Sequence, residues 1–212
     1  MTGSAVSTRP RPEANRVVPP PGTFEIDPVH TLVTFSSQQL VIRRVQGRFD
    51  MVTGKLTIDE NVQDSHVEVV IDAGSIAADL STREDRPHSY EFFEVAEFPS
   101  LTFKSTGGSK PASGGCSVAG DLTVEGVTLA ADLVVTFCGA VAEPSGNVRV
   151  GLHASTTISR RHLEFLDHLE SPHVVRDVSI EMEVEAVRST TALAIPTLRR
   201  LAAAEGKGAC NR

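Results

Sequence analysis

Residues 178–186 alternate without interruption. Val178, Ile180, Met182, Val184 and Ala186 are separated by Ser179, Glu181, Glu183 and Glu185. A sustained period of two belongs to a β-strand with one dry face and one wet face. The rhythm recurs along the chain. Val67, Val69 and Ile71 alternate with His66, Glu68, Val70 and Asp72, and Val148, Val150, Leu152 and Ala154 alternate with Arg149, Gly151 and His153. Residues 129–137 are strongly apolar, with Leu133, Val135 and Phe137 on one face. Further strand candidates are 23–27, 31–40, 47–58, 101–106 and 117–124. Turn signals separate them at Asp27-Pro28, Gly107-Gly108, Gly114-Gly115, Glu125-Gly126 and Pro144-Ser145-Gly146-Asn147. Strands that each keep a polar face predict antiparallel pairing, because parallel strands are usually apolar on both faces. Closing the sheet hides its edges, so the expected fold is an all-β antiparallel barrel of about eight strands.

The β pattern fills about 23–187 of the 212 residues, and 40% apolar composition is enough for its core. Two stretches interrupt it, 82–95 and 159–175; both contain short helix-like segments and several ionisable groups. Residues 1–22 are polar and charged, and Pro19, Pro20 and Pro21 exclude helix, so an extended, solvated, disordered arm is expected there. In the tail, 188–212, Leu193, Ile195, Leu198 and Leu201 outline a short helix whose first turn accommodates Pro196. The net charge of −7 argues against a nucleic-acid partner, which requires a surplus of Lys and Arg. No run of 18 apolar residues exists, so the chain is not expected to be embedded in a membrane. The first 22 residues have no apolar signal core, and a cytoplasmic location is expected. Cys116, Cys138 and Cys210 are too widely spaced for a disulfide framework or a zinc knuckle and read as reduced thiols.

Several runs resemble one family when taken in order. Thr23-Phe-Glu-Ile-Asp-Pro-Val-His-Thr-Leu-Val-Thr-Phe is similar to the opening of the YceI-like, polyisoprenoid-binding family. Gly47-Arg48-Phe49 with Gly54-Lys55-Leu56 resembles its first hairpin. Phe92-Phe93-Glu94-Val95, followed by Phe98-Pro99-Ser100-Leu101-Thr102-Phe103-Lys104-Ser105, resembles its central segment. Residues 120–128, reading Gly-Asp-Leu-Thr-Val-Glu-Gly-Val-Thr, and Ser159-Arg160-Arg161 resemble its later elements. The resemblance implies a lipocalin-like barrel with an extended apolar pocket for an isoprenoid chain or similar amphiphile. Related barrels often pair, so a homodimer is one arrangement it implies. The chain departs from the family at Gln39 and Arg86, where the pattern has histidines, and at Pro87, where it has leucine. The late loop, Arg161-His162-Leu163-Glu164-Phe165, lacks the usual glycine and Trp-Asn pair.

The expected function is binding, storage or transport of a polyisoprenoid, quinone-tail or other long-chain amphiphile. Burial drives such binding: at about 0.8 kcal/mol per CH₂, two or three isoprene units contribute roughly 8–12 kcal/mol gross. The expected lining is Val33, Phe35, Phe49, Phe92, Phe93, Phe98, Phe103, Phe137 and Phe165, each equally suited by its inward face to plain core packing. His30 is read either as a head-group contact or as a residue that only starts its strand, and an inward Gln39 either marks a polar end of the pocket or is a satisfied core amide. The alternative is an enzyme using the same cavity on a small hydrophobic metabolite, with Glu84, Arg86, His88 and His162 at a catalytic mouth. A third reading is an interaction protein with a filled core. His162, His168 and His173 do not have metal-site spacing, and neither a serine-hydrolase elbow nor a nucleotide-binding glycine loop is present. No metal and no cofactor are expected.

Overall fold

The computed structural model describes residues 11–13, 16–39, 43–78, 95–107, 109–112, 115–144, 146–159 and 175–189. Its strands are β1 (Arg11–Glu13), β2 (Arg16–Val18), β3 (Gly22–Ile26), β4 (Leu32–Gln39), β5 (Arg43–Phe49), β6 (Val52–Ile58) and β7 (His66–Asp72). They continue with β8 (Ile76–Ala78), β9 (Ser100–Ser105), β10 (Lys110–Ala112), β11 (Gly115–Val124), β12 (Val127–Ala142), β13 (Val148–Ile158) and β14 (Val175–Arg188). Helical content among the described residues is two single 3₁₀ turns, Val62–Asp64 and Ala73–Ser75.

Pairing registers show that three of these strand pairs are bent halves of longer strands. Both β3 and β4 pair with β14; β3 pairs with β6 while β4 pairs with β5. Likewise β6 pairs with β7 and β5 with β8. The predicted strand over 47–58 is therefore one run with a bend at Asp50 and Met51. Counting each bent strand once, β3/β4, β5/β6, β7/β8, β9, β11, β12, β13 and β14 follow one another around a closed, eight-stranded antiparallel barrel. Pairing of β14 with both β13 and β3/β4 closes the ring. Closure pairs both edges of the main ring, while among the described residues β8 is paired with β5 alone and β10 with β11 alone.

Local chemistry sets the turns. Between β11 and β12, Glu125 (φ 47°) and Gly126 (φ 74°) both lie in the left-handed region, as a two-residue hairpin turn matched to strand twist requires. A bulge between Phe137 and Gly139 shifts the β12–β13 register. The alternating faces turn Phe24, Val33, Val52, Val148, Val150 and Ala186 into a common core where they are almost fully buried. Lys55, Glu68, Lys104, Glu181 and Glu183 stand exposed on the outer wall, the reverse of a barrel built to span lipid. Among the described residues no helix is long and apolar enough to cross a membrane.

Candidate functional site

The inward faces do not fill the barrel. A cavity of about 500 Å³ remains in the half of the lumen where β3 begins and β14 ends. Its wall is hydrocarbon from nearly every strand: Ile26, Leu56 and Ile58, Val67 and Val69, Val118, Leu133, Val135 and Phe137, Leu152 and Ala154, Met182 and Val184. The rim carries Val18, Pro19, Val62, Gln63, Ser65, His66, Ser109, Gly115, Cys116 and Thr136. Ser109 is buried and donates its hydroxyl to the Val62 carbonyl at 2.7 Å, tying the loop after β9 to the 3₁₀ turn beside the mouth. The Cys116 thiol donates to the Val135 carbonyl at 3.6 Å, and Cys138 stands exposed.

Beyond this cavity the lumen is packed by its own side chains. Val33, Phe49 and Phe103 are buried in the core, and none of them lines the cavity. The rings of Phe35 and Phe49 stack obliquely at 5.5 Å. Two glycines make room for aromatic rings: a β-carbon at Gly47 would lie 2.4 Å from Phe35 Cζ, and one at Gly120 would lie 2.3 Å from Phe103 Cζ. Of the expected lining residues, Phe137 stands in the cavity wall. Phe98 is half-buried against Gly126. Phe92, Phe93 and Phe165, the proposed catalytic group Glu84, Arg86, His88 and His162, and the Gln39 side chain lie outside the described residues.

His30 stands outside the lumen with 55% of its side chain exposed, its Nδ1 2.8 Å from Asp27 Oδ2. Asp27 belongs to a network centred on Arg149. The Arg149 Nη1 donates to Asp27 Oδ2 at 2.7 Å and to Glu185 Oε2 at 3.0 Å, and Nε donates to Glu143 Oε1 at 2.8 Å. Hydrogen bonding to Arg149 lowers the Asp27 pKa to about 2; partial burial opposes the shift and His30 adds to it. The same carboxylate bond raises the pKa of Arg149. The network fixes the bend between β3 and β4 to β13, β14 and the β12–β13 turn, which is a structural task. A second depression, of about 520 Å³, lies along β12, β13 and β14 and carries Asp132, Ser155, Thr157, Ser179 and Glu181. Its polar lining is unsuited to an apolar chain.

The YceI-like domain profile matches residues 24–186, from the middle of β3 to the penultimate turn of the pleat in β14. The chain belongs to the YceI-like domain family. A UPF0312 protein of Vibrio parahaemolyticus is 30% identical over 153 residues, covering 72% of this chain and 81% of that protein. One from Yersinia enterocolitica is 31% identical over 161 residues, covering 76% and 82%. Among solved structures, the Campylobacter jejuni YCEI protein superposes with a TM-score of 0.57 at 22% identity, covering 72% of this chain and 90% of that one. A polyisoprenoid-binding domain from Saccharophagus degradans, implicated in plant cell wall breakdown, superposes with a TM-score of 0.52 at 18% identity, covering 78% and 98%. These structures share the fold of this YceI-like domain.

The alternation of Val67, Val69, Leu152, Ala154, Met182 and Val184 marks the aliphatic wall of the YceI-like cavity in the sequence, whereas the inward aromatic residues Phe49 and Phe103 belong to the packed half of the lumen. Val18 and Pro19 precede the matched domain and had no strand rhythm to mark them. Their signal was the proline run that follows Val18.

Proposed function

We propose that this YceI-like domain binds a long apolar chain, such as a polyisoprenoid, a quinone tail or a fatty chain, inside the barrel, for storage or transport. The observation that carries the reading is the hydrocarbon-lined cavity of about 500 Å³, well within the roughly 300–1,000 Å³ typical of ligand pockets. Burial of two or three isoprene units there supplies about 8–12 kcal/mol gross. Association takes at least about 4 kcal/mol of it, leaving a dissociation constant from roughly millimolar for two units to roughly micromolar for three. The polar groups gathered at the rim, Gln63, Ser65, His66 and Thr136, favour a chain that enters tail first and keeps its polar end at the mouth. The polyisoprenoid-binding domain with the same fold supports the same assignment.

The test has two arms. Organic extracts of the purified protein are analysed by mass spectrometry for apolar ligands, and binding of farnesol is measured by displacement of a fluorescent apolar probe. Ala154→Phe places a ring in the cavity from a buried wall position; it is expected to abolish probe binding while the β-sheet circular dichroism is kept. Empty extracts together with equal probe binding by wild type and Ala154→Phe would falsify the assignment.

A further inference from the structure

The cavity is roofed on one side by chain that precedes the residues matched by the family profile. Val18 and Pro19 line it, and Pro19 and Pro20 are buried, with Pro20 among the most completely buried side chains of the molecule. The matched domain begins only at residue 24. The sequence predicts an extended, solvated arm over 1–22, and Pro19 and Pro20 are buried instead. The difference has a physical cause. Ordinary backbone laid across an apolar cavity would bury N–H donors without partners, at a cost of about 1–3 kcal/mol for each. Pro19, Pro20 and Pro21 have no N–H, so this stretch carries only acceptors, and its φ angles are fixed before it folds.

The remaining requirement is an anchor, which β14 supplies. Arg188 Nη2 donates to the Pro21 carbonyl at 2.9 Å. The same guanidinium lies 5.2 Å from the centre of the Phe24 ring, the residue paired with Arg188 in the β3–β14 register. Gly22 makes the corner between strap and strand with φ +148°; a β-carbon there would be 3.2 Å from Arg188 Nε. Any side chain at that corner would be strained and would crowd the anchor.

We propose that residues 18–21 form a proline strap that is part of the ligand site, closing the mouth over the bound chain and limiting the length of chain retained, with Arg188 as its positioning residue. This rests on the lumen being the ligand site. Exchange of the ligand then requires the strap to lift from the mouth. Strap mobility governs the dissociation rate, whereas the cavity wall governs the burial energy.

The experiment uses the full chain. Stopped-flow release of a fluorescent apolar probe is measured for wild type, for Pro19→Ala/Pro20→Ala/Pro21→Ala, for Arg188→Ala and for Arg188→Lys. Binding of farnesol, geranylgeraniol and a longer polyprenol is compared across the same set. The triple alanine variant restores three N–H donors and frees the backbone; release is expected to be about tenfold faster, with tighter relative binding of the longest chain. Arg188→Ala is expected to match it, and Arg188→Lys, which keeps a donor for the Pro21 carbonyl, to recover part of the wild-type rate. Thermal unfolding of the triple variant, which alters only the strap, guards against the chance that Arg188→Ala weakens the barrel. If wild type binds the probe but the folded triple variant shows the same release rate and the same length preference, the strap has no such role while the lumen assignment stands. If wild type binds no apolar probe, the lumen assignment itself fails and the strap proposal fails with it.

Discussion

Arg149 is the one described cation holding Asp27, Glu143 and Glu185 together, so its loss should be felt through three chain segments at once. Arg149→Met leaves those carboxylates facing one another and is expected to lower the unfolding free energy at pH 7 by about 1–2 kcal/mol, a value reduced for their partial exposure. The pH dependence has a definite sign. Asp27 titrates near 2 in the folded protein against an ordinary 3.8, so its contribution is present above about pH 4 and is lost as pH falls toward 2. Urea midpoints of wild type and Arg149→Met should therefore converge over that interval; a gap that stays constant down to pH 2 would remove Asp27 from the account. Gly120 is a steric counterpart. A β-carbon there would meet Phe103 Cζ at 2.3 Å and the Lys104 carbonyl oxygen at 2.7 Å. Because one of these neighbours is backbone, Gly120→Ala cannot be relieved by a rotamer change alone, and a loss of about 1–3 kcal/mol is expected in chemical denaturation. Phe103→Leu in the Gly120→Ala background should restore part of it. Neither effect could be read from residue identities, because each depends on what faces the residue from the adjacent strand.

Strand positions were legible because each strand has a wet face and a dry one, and the run at 178–186 lies wholly within β14. The bends left only a faint mark. Phe49 and Val52 are both buried although three residues apart, so the two-residue alternation slips its phase at Asp50 and Met51, and that single slip is the trace of the bend in the sequence. Depth was also hidden: Phe103 and Phe137 both have inward-facing rhythm, yet one packs against Gly120 and the other lines the cavity. Register has its own code on the outer wall. Glu25 pairs with Lys55, Lys55 with Glu68, Glu68 with Lys104 and Lys104 with Asp121, giving alternating charge across five neighbouring strands. Lys104 Nζ lies 2.7 Å from Glu68 Oε1. A slip of one residue in any of these strands would turn its charge into the lumen, so the row helps to specify pairing even where each exposed pair adds little stability. Glu68→Lys would place three lysines side by side and is expected to lower the melting temperature at low salt. Added sodium chloride should shrink that decrease by screening; a salt-independent decrease would show that packing, rather than charge, is responsible.

At the scale of the whole barrel, ligand and fold share one free energy. The cavity leaves Leu133, Leu152 and Met182 facing space that solid packing would have filled, and unfilled hydrocarbon forfeits dispersion contacts. A chain occupying that space binds only the closed barrel, since the unfolded chain has no lumen, and occupancy must therefore stabilise the fold. At a free ligand concentration about 100 times the dissociation constant the gain is roughly 2.7 kcal/mol. For a domain of this size, each kcal/mol corresponds to about 2–4 °C, so farnesol should raise the melting temperature by roughly 5–10 °C. Ala154→Phe makes the complementary case. Its ring takes the ligand's place against Val135 and Met182, the cross-strand partners of Ala154, so the variant should melt at or above the temperature of ligand-free wild type and no longer respond to farnesol. Calorimetry of the two proteins with and without farnesol distinguishes lumen occupancy from adsorption on the outer wall. A ligand held outside would stabilise both proteins equally, because Ala154 is buried and the substitution leaves that wall unchanged.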